Sequence, residues 1–595
     1  MAYGLLYDFL NGQCIEAHSY FGAHFSEKNG QTVVTFRLYA PMADDVSVIG
    51  EWNNWDVTRD KMKKIDDCGV WEIEIPNLHN YQCYKFHFKN AQGNYVDKID
   101  PYAFHAELRP GTCSRLFDIR NFDKPMSIYE MHLGSWKGRG DDGHILSYEE
   151  IADYLIPYIK ENGFTHVEFM PLIQYPFDGS WGYQGTGFYA IDSRYGNPFQ
   201  LMSLVDRLHQ AGIGAIIDFA PVHFATDKWA LAKYDGTCLF EYSNKWRISP
   251  WGSYQFDLGK DPVRSFLMSA MNYFVDYFHF DGIRVDAVSN IIYYNGDSSI
   301  GQNDGAVEFI KRLNAKIHIA HNSVMMIAED STAFAGTTKP TEYGGLGFDY
   351  KWDLGWMNDT LKYYSKDPVY KKWEHYNITF SMAYFYADNF MLPLSHDEVV
   401  HGKGTIINKM WGDYQQKFML IRNLYTYQFA HPGKKLNFMG NELASFDEWN
   451  ENKSLPWNLK SYPIHDSVSR LIRDLNLIYR NEKAMYFEEH NPEHYHWLMV
   501  DNSNDSIYAF QRNVGDDTLV FVFNMTTNYY ESFAIPLMQM GTYEEIFNSD
   551  KDVYGGANQY NGAPIDSEPG SFEGLPAHFN IKLASFAACI FKKIK

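Results

Sequence analysis

Two ionisable side chains stand two residues apart in the stretch Asp281-Gly282-Ile283-Arg284-Val285-Asp286-Ala287-Val288. Its β-branched residues favour an extended chain, in which alternate side chains share a face, so Arg284 and Asp286 lie together while Ile283 and Val285 point the other way. A permanent cation beside a carboxyl group lowers its pKa, and Arg284 is therefore expected to keep Asp286 ionised at neutral pH. An ionised carboxylate is what attack on a sugar carbon requires. The same pair also occurs as a structural ion pair in α/β cores, and by itself it does not separate the two readings. Other polar residues close apolar runs: Asp218 in 214–219, Glu329 after Met325-Met326-Ile327-Ala328, and His396-Asp397 after 391–395. The apolar approach to Glu329 should desolvate its carboxyl group and raise its pKa, as a general acid needs. Asp330 faces the opposite way by strand parity, although parity alone does not say which of the two enters a cleft.

These groups need elements to bring them together. From Ser127 onward strand-like runs alternate with longer helix-like segments, the signature of βα units. Candidate strands cover 128–133, 166–170, 214–219, 282–287, 324–329, 348–352, 391–395 and 436–439, with helices at 148–162, 200–211, 262–278 and 414–429. Eight such units predict a (β/α)8 TIM barrel, whose active sites gather at the C-terminal strand ends. Asp218, Asp286, Glu329 and His396-Asp397 all fall there. Before the barrel, short alternating runs such as Val33 to Ala40 and Tyr84 to Lys89 predict an antiparallel β-sandwich. Its Trp52 and Trp55 could sit on a turn and stack on a sugar, or merely cap the sandwich. After residue 482 strand patterns return as a C-terminal all-β domain, in which 554–570 reads as a long loop. The expected divisions are a segment 1–20, a sandwich 21–122, a barrel 123–482 and a C-terminal domain 483–595.

The 595 residues carry 52 Lys and Arg against 74 Asp and Glu, a net charge of −22. With no long basic run, nucleic acid is not an expected partner. No apolar stretch is long enough to span a bilayer, and residues 1–10 lack a basic start and meet Asp8 early, a poor signal peptide. No membrane partner is expected. Six scattered cysteines without a CxxC pair suggest reduced thiols and a cytoplasmic protein, which we expect to be monomeric. The 15 Trp, 44 Tyr and 42 Phe exceed the usual need of cores, and exposed rings suit the apolar faces of sugars. No metal-ligand spacing such as HExxH occurs, and no metal or cofactor is expected.

Four segments together carry a resemblance: Asp218-Phe219-Ala220-Pro221-Val222-His223, Gly282 to Val288, Ala328-Glu329-Asp330-Ser331 and Leu394-Ser395-His396-Asp397-Glu398-Val399. In order and spacing they resemble the four signature regions of the α-amylase superfamily. Ile128 to Trp136, Gly179-Ser180-Trp181-Gly182-Tyr183-Gln184, Gly347 to Thr360 and Phe438-Met439-Gly440-Asn441-Glu442 make the chain most similar to the 1,4-α-glucan (glycogen) branching enzymes within it. The resemblance spans almost the whole chain, its sandwich being similar to a glucan-binding type module. It implies Asp286 as nucleophile, Glu329 as acid/base and Asp397 as the third carboxylate, acting through sugar hydroxyls. It further implies that His223 and His396 hydrogen-bond the glucose, that Tyr183 stacks beneath it, and that Arg284 with Asp218 holds the nucleophile. The implied partner is an α-1,4-glucan such as amylose, glycogen or starch.

The chain departs from the family pattern at Gly185, Asp330, Phe219, Val222 and Leu443-Ala444-Ser445-Phe446. None of these removes a catalytic group. Two other readings stand beside branching: a hydrolase of the same superfamily, which would use water as acceptor, and a non-catalytic glucan-binding protein, which would have no need of Asp286, Glu329 and Asp397 together.

Overall fold

A computed structural model describes all residues except 1–5, 8, 15–16, 29–30, 79–81, 108–110, 117–123, 139–143 and 322. The chain separates into two compact units, Met1–Phe122 and Asp123–Lys595. The first holds two antiparallel sheets. Gly22–Lys28, Gln31–Tyr39, Val70–Pro76 and Lys63–Lys64 form one, and Asp44–Gly50 pairs with Cys83–Lys89 in the other. Alternation fills the space between them: Val34, Phe36 and Leu38 from one sheet meet Val46, Val48, Tyr84 and Phe86 from the other. Trp52 belongs to this packing, its ring 5.8 Å from Phe36 and its indole N–H donating to Asp60 at 2.9 Å. Trp55 remains partly exposed.

The second unit begins with a closed parallel barrel. Its strands are β1 (Ser127–Met131), β2 (His166–Phe169), β3 (Gly214–Phe219), β4 (Gly282–Val285), β5 (Met325–Ala328), β6 (Tyr350–Trp352), β7 (Phe390–Leu394) and β8 (Lys434–Phe438). β8 closes on β1, with Ile128 opposite Leu436. Crossover helices return the chain, among them α1 (Tyr148–Glu161), α2 (Pro198–Gln210), α3 (Asp261–Phe278), α4 (Asp304–Ala320), α5 (Leu354–Tyr364), α6 (Tyr414–Ala430) and α7 (Pro463–Asn481). Local chemistry starts several of them. Ser147 with Glu150, Asn197 with Gln200 and Asp413 with Gln416 form reciprocal capping boxes that satisfy amides at the first turns of α1, α2 and α6.

All eight strands reproduce the expected runs to within two residues at either end, and where β4 stops bears on the site. It ends at Val285, and Ala287 turns into the left-handed region with φ 51° before the short helix Val288–Ile292. Asp286 therefore stands just beyond the strand, on a sharp strand-to-helix turn.

After α7, the strands Tyr495–Met499, Ile507–Val514, Asp517–Asn524, Ala588–Lys593, Thr542–Asn548 and Ile565–Asp566 make a six-stranded sheet. A three-stranded sheet of Tyr530–Leu537, Leu575–Leu583 and Glu568–Phe572 accompanies it. Period-2 alternation sorts the large sheet's faces: Tyr508, Phe510, Phe521 and Phe523 join the barrel's core, whereas Ala509, Val520, Val522 and Phe591 pack with Ile535, Leu537 and Phe579. The expected loop 554–570 is a loop only in its first part, because Ile565–Asp566 and Glu568–Phe572 are strands. Its glycines and polar residues masked short edge pairings, which need little apolar sequence.

Candidate active site

Strand parity builds the site in two layers. Ile128, Ile216, Ile327, Trp352 and Leu436 belong to one buried apolar cluster of the barrel strands. Two residues further along β1 and β3, on the same faces, stand Glu130 and Asp218, and two residues beyond Ile327 stands Glu329. Apolar residues plug the barrel and ionisable ones cover the plug.

Arg284 is the hub. Fully buried, it donates through Nη1 to both oxygens of Asp218 at 2.9 Å and to Asp286 Oδ1 at 2.6 Å, while Nη2 lies 3.9 Å from Glu329 Oε2. Its guanidinium also lies over the Trp352 ring, 4.3 Å from the centroid. Asp218 accepts a further hydrogen bond from the Tyr183 hydroxyl. The backbone fixes the two cleft carboxyls against one another: the Asp286 N–H donates to Phe219 O at 2.9 Å, and the Ala287 N–H to Glu329 Oε2 at 2.7 Å.

The pKa shifts follow from competition between desolvation and charge. Burial raises Asp286 to about 6, against the pull of Arg284 and with help from Asp218 and Asp397. The expected lowering by Arg284 is thus overturned, because one guanidinium is shared among several carboxylates and cannot offset the loss of water for each. Asp286 is still mainly ionised at pH 7. Glu329 is raised further, to about 7, by burial and by the charges of Asp286 and Asp397, with Arg284 opposing. Asp397, its side chain half exposed, goes the other way: burial pushes it up, but His396 and Arg284 outweigh that and hold it below the ordinary range.

His396 is held on both sides. Its Nδ1 bonds Glu130 Oε1, its backbone N–H donates to Glu130 Oε2 at 3.1 Å, and its Nε2 lies 3.5 Å from Asp397 Oδ1. Burial disfavours its charge, yet Asp397 and Glu130 prevail and raise its pKa to about 9. The Tyr183 ring stacks on it with centroids 5.7 Å apart. His223 is also buried, and burial lowers its pKa to about 4; its Nδ1 has no hydrogen-bond partner. Asp330 turns away from the cleft, paired at 2.9 Å with Lys351.

Among the residues singled out from sequence, Asp218, Arg284, Asp286 and Glu329 form one contiguous set, and Tyr183, His396 and Asp397 adjoin it. His223 stands at the start of the loop that follows β3. Two buried acids escaped that reading. Glu130 orients His396, and Glu168 on β2 has both oxygens without hydrogen-bond partners and a pKa raised well above normal by burial, then by Glu130 and Asp218. Their inward position was available from parity with Ile128 and from the neighbouring strand; their polarity inside an apolar run was the missed signal. The departing segment 443–446 supplies Ala444 and Ser445 to a cavity of about 330 Å3, lined also by Val399, Met439, Trp449 and Leu455. Among the described residues no group of three His, Cys, Asp or Glu side chains is arranged to hold a metal ion.

Residues 20–103 match Carbohydrate-binding module 48 (Isoamylase N-terminal domain), residues 148–238 the alpha amylase catalytic domain, and residues 497–594 the alpha amylase C-terminal all-beta domain. Over 601 residues, covering 98% of this chain and 93% of the other, the sequence is 42% identical to the 1,4-alpha-glucan branching enzyme GlgB of Bacillus cereus. It is 41% identical over 611 residues to the protein of that name from Geobacillus stearothermophilus, covering 99% and 96% of the two chains. The solved pullulanase from Bacillus acidopullulyticus superimposes with a TM-score of 0.57 at 16% identity, over 96% of this chain and 75% of that one.

Proposed function

The chain belongs to the 1,4-alpha-glucan branching enzymes of the α-amylase superfamily, and from that membership we propose how its own residues carry the reaction. The enzyme is a glycosyltransferase that cleaves an α-1,4 bond of a linear glucan and rejoins the chain as an α-1,6 branch. Asp286 attacks the anomeric carbon while Glu329 gives its proton to the departing 4-oxygen, leaving a glucosyl group bonded to the Asp286 carboxylate. Glu329, now ionised, takes the proton of an acceptor's 6-hydroxyl; the C1–O6 bond forms as the bond from C1 to Asp286 breaks. Configuration is retained over the two displacements.

The observation that carries this assignment is the sharing of Arg284. The guanidinium bonds Asp286 at 2.6 Å and lies 3.9 Å from Glu329, so of two carboxyls that burial raises, Asp286 has the close cation that favours its ionised form. Near neutral pH the pair therefore favours one proton, on Glu329, which is the combination the first displacement needs. Asp397, kept ionised beside His396, supplies a fixed negative charge for the sugar hydroxyls of an oxocarbenium-like transition state. Tyr183 and His396 cradle the transferred glucose, with Asp218 orienting Arg284 and Tyr183. His223 adds a hydrogen-bonding group at the same subsite.

The partner is an α-glucan, and the match of residues 20–103 to a carbohydrate-binding module supports it. No helix among the described residues is long and apolar enough to cross a membrane. Six free cysteines favour a reducing compartment, and we take the enzyme to act as a cytoplasmic monomer with domains near 21–122, 123–482 and 483–595. Incubation with amylose tests the assignment. Iodine absorbance falls while reducing ends stay nearly constant, and an α-1,6-specific debranching enzyme then releases new chains. A fall matched by rising reducing ends would make water the acceptor and remove the transferase reading.

A further inference from the structure

The loop between β3 and α3 carries an indole that none of these steps uses. Its ribbon pairs His223 with Gln255 and Phe224 with Tyr254, and Trp251 sits on the turn just before the second strand. The Trp251 ring lies 4.9 Å from the His223 ring, tilted by 36°, and is 49% exposed although His223 beneath it is buried. Hydrogen bonds fix this turn. Ser249 and Ser253 join through their hydroxyls at 2.6 Å and through Ser249 N–H to Ser253 O at 2.8 Å, and the Trp251 N–H donates to Ser249 Oγ at 3.2 Å. The Gln255 amide reaches Trp246 O at 2.8 Å and Asn295 Oδ1 at 3.0 Å, tying this loop to the one that follows β4. There Trp246 stacks on Tyr294 with centroids 4.7 Å apart and planes within 16°.

We propose that Trp251 is the stacking platform for the acceptor glucan, and that it biases the glucosyl-enzyme toward a sugar hydroxyl over water. The inference rests on the branching reading and adds to it the side from which the acceptor enters. Tyr183 and His396, from the loops after β2 and β7, stack together and cradle the transferred glucose. Glu329, at the end of β5, protonates the departing oxygen, so the aglycone leaves, and the acceptor arrives, from the far side of Asp286. In the closed barrel the loop after β3 lies across from the loop after β7 that carries His396, and the loop after β4 lies next to the Glu329 end of β5; Trp251 and Trp246 stand on the first of these and Tyr294 on the second. His223, buried against the indole, keeps an unpartnered Nδ1. An indole face offers the C–H side of a glucose ring a large apolar contact, and a glucose seated on it both presents its 6-hydroxyl and displaces water from the open side of the intermediate. The turn is braced before any ligand arrives, so little ordering opposes binding.

The test is the partition ratio, new α-1,6 linkages per new reducing end, measured on amylose for the wild-type enzyme and for W251A and W251F. Because each turnover ends in one product or the other, the ratio is independent of how much of a variant is folded. W251A lowers it about tenfold, the loss of one aromatic stack, and raises the KM for added malto-oligosaccharide acceptor, while W251F recovers most of the ratio. A W251A ratio equal to wild type, with branching and hydrolysis reduced alike, would overturn the platform role and leave the branching assignment intact. A wild-type enzyme that forms reducing ends and no branches would instead overturn that assignment.

Discussion

Of Asp286, Glu329, His396 and Asp397 at the barrel mouth, the first two carry pKa values near neutrality. Asp397 lies below the ordinary carboxyl range and stays ionised, and His396, raised to about 9, stays protonated. Asp286 and Glu329, raised to about 6 and about 7, change charge between these limits. The sign of each shift fixes the activity profile. In the roles proposed for them, Asp286 below about 6 takes up a proton and can no longer attack, and Glu329 above about 7 loses the proton that the leaving oxygen needs. We expect kcat/KM on amylose to follow a narrow bell between these limbs, whose apparent values belong to the coupled pair. A plateau extending from pH 5 to pH 9 would remove both groups from their roles. How close the limbs lie follows from burial, which raises both carboxyls and which Arg284 only partly opposes; a second cation beside Asp286 alone would drop it toward the ordinary range and widen the bell. Spacing shows that Arg284 and Asp286 are neighbours and the family resemblance brings Asp218 to them, but only the structure shows both Asp218 oxygens on the guanidinium nitrogen that Asp286 also uses.

The turn after β4 converts those charges into geometry. Ala287 adopts φ 51° and ψ 43°, a left-handed conformation that is strained for a residue with a Cβ, and in doing so aims its amide at Glu329 Oε2, 2.7 Å away. A strand that continued through 286 and 287, as β-branched spacing suggests, would send that amide elsewhere. Parity was readable for β1, β3 and β5, where Glu130, Asp218 and Glu329 each follow an inward isoleucine by two residues. The turn was not, because nothing in Val285-Asp286-Ala287-Val288 marks a positive φ as a glycine would. Ala287→Gly should therefore keep activity and gain or lose no more than about 1 kcal/mol of stability. Ala287→Val, with a branched side chain in the same conformation, should cost about 1–3 kcal/mol and lower kcat at least tenfold, since Asp286 and the amide on Glu329 move together. Melting temperatures and kcat for the two variants check this, and a valine variant with wild-type kcat would show that the turn does not position the pair.

At the scale of the second unit, α6 explains why barrel and C-terminal domain stand or fall together. Its sequence includes Arg422, Asn423, Thr426 and Gln428, residues that suggest a watered face, yet all four are buried. Thr426 donates within the helix to Arg422 O at 2.8 Å, and the other three find partners on one side or the other. Gln428 donates to Leu392 O and Leu436 O of the barrel strands, Arg422 Nε to Ser549 O, and Asn423 Nδ2 to Asn524 O, Phe586 O and Ala587 O in the C-terminal domain. The helix is a shared wall, and a helical pattern with polar residues on every side does not reveal a wall whose polar contacts are all satisfied by neighbouring backbone. Tyr363 and Tyr508 add a hydroxyl contact at 3.0 Å from α5, and the aromatic face of the large sheet merges with the barrel core. Such continuity predicts one cooperative transition for residues 123–595. Asn423→Ala removes the donor and leaves three buried carbonyls with one partner fewer, a cost of about 1–3 kcal/mol. In calorimetry the barrel and C-terminal domain of N423A should still melt together, at a lower temperature than wild type. If the wild-type enzyme gave separate transitions for the two, or if N423A moved only one of them, α6 would be a neighbour of the C-terminal domain and not the element that joins it to the barrel.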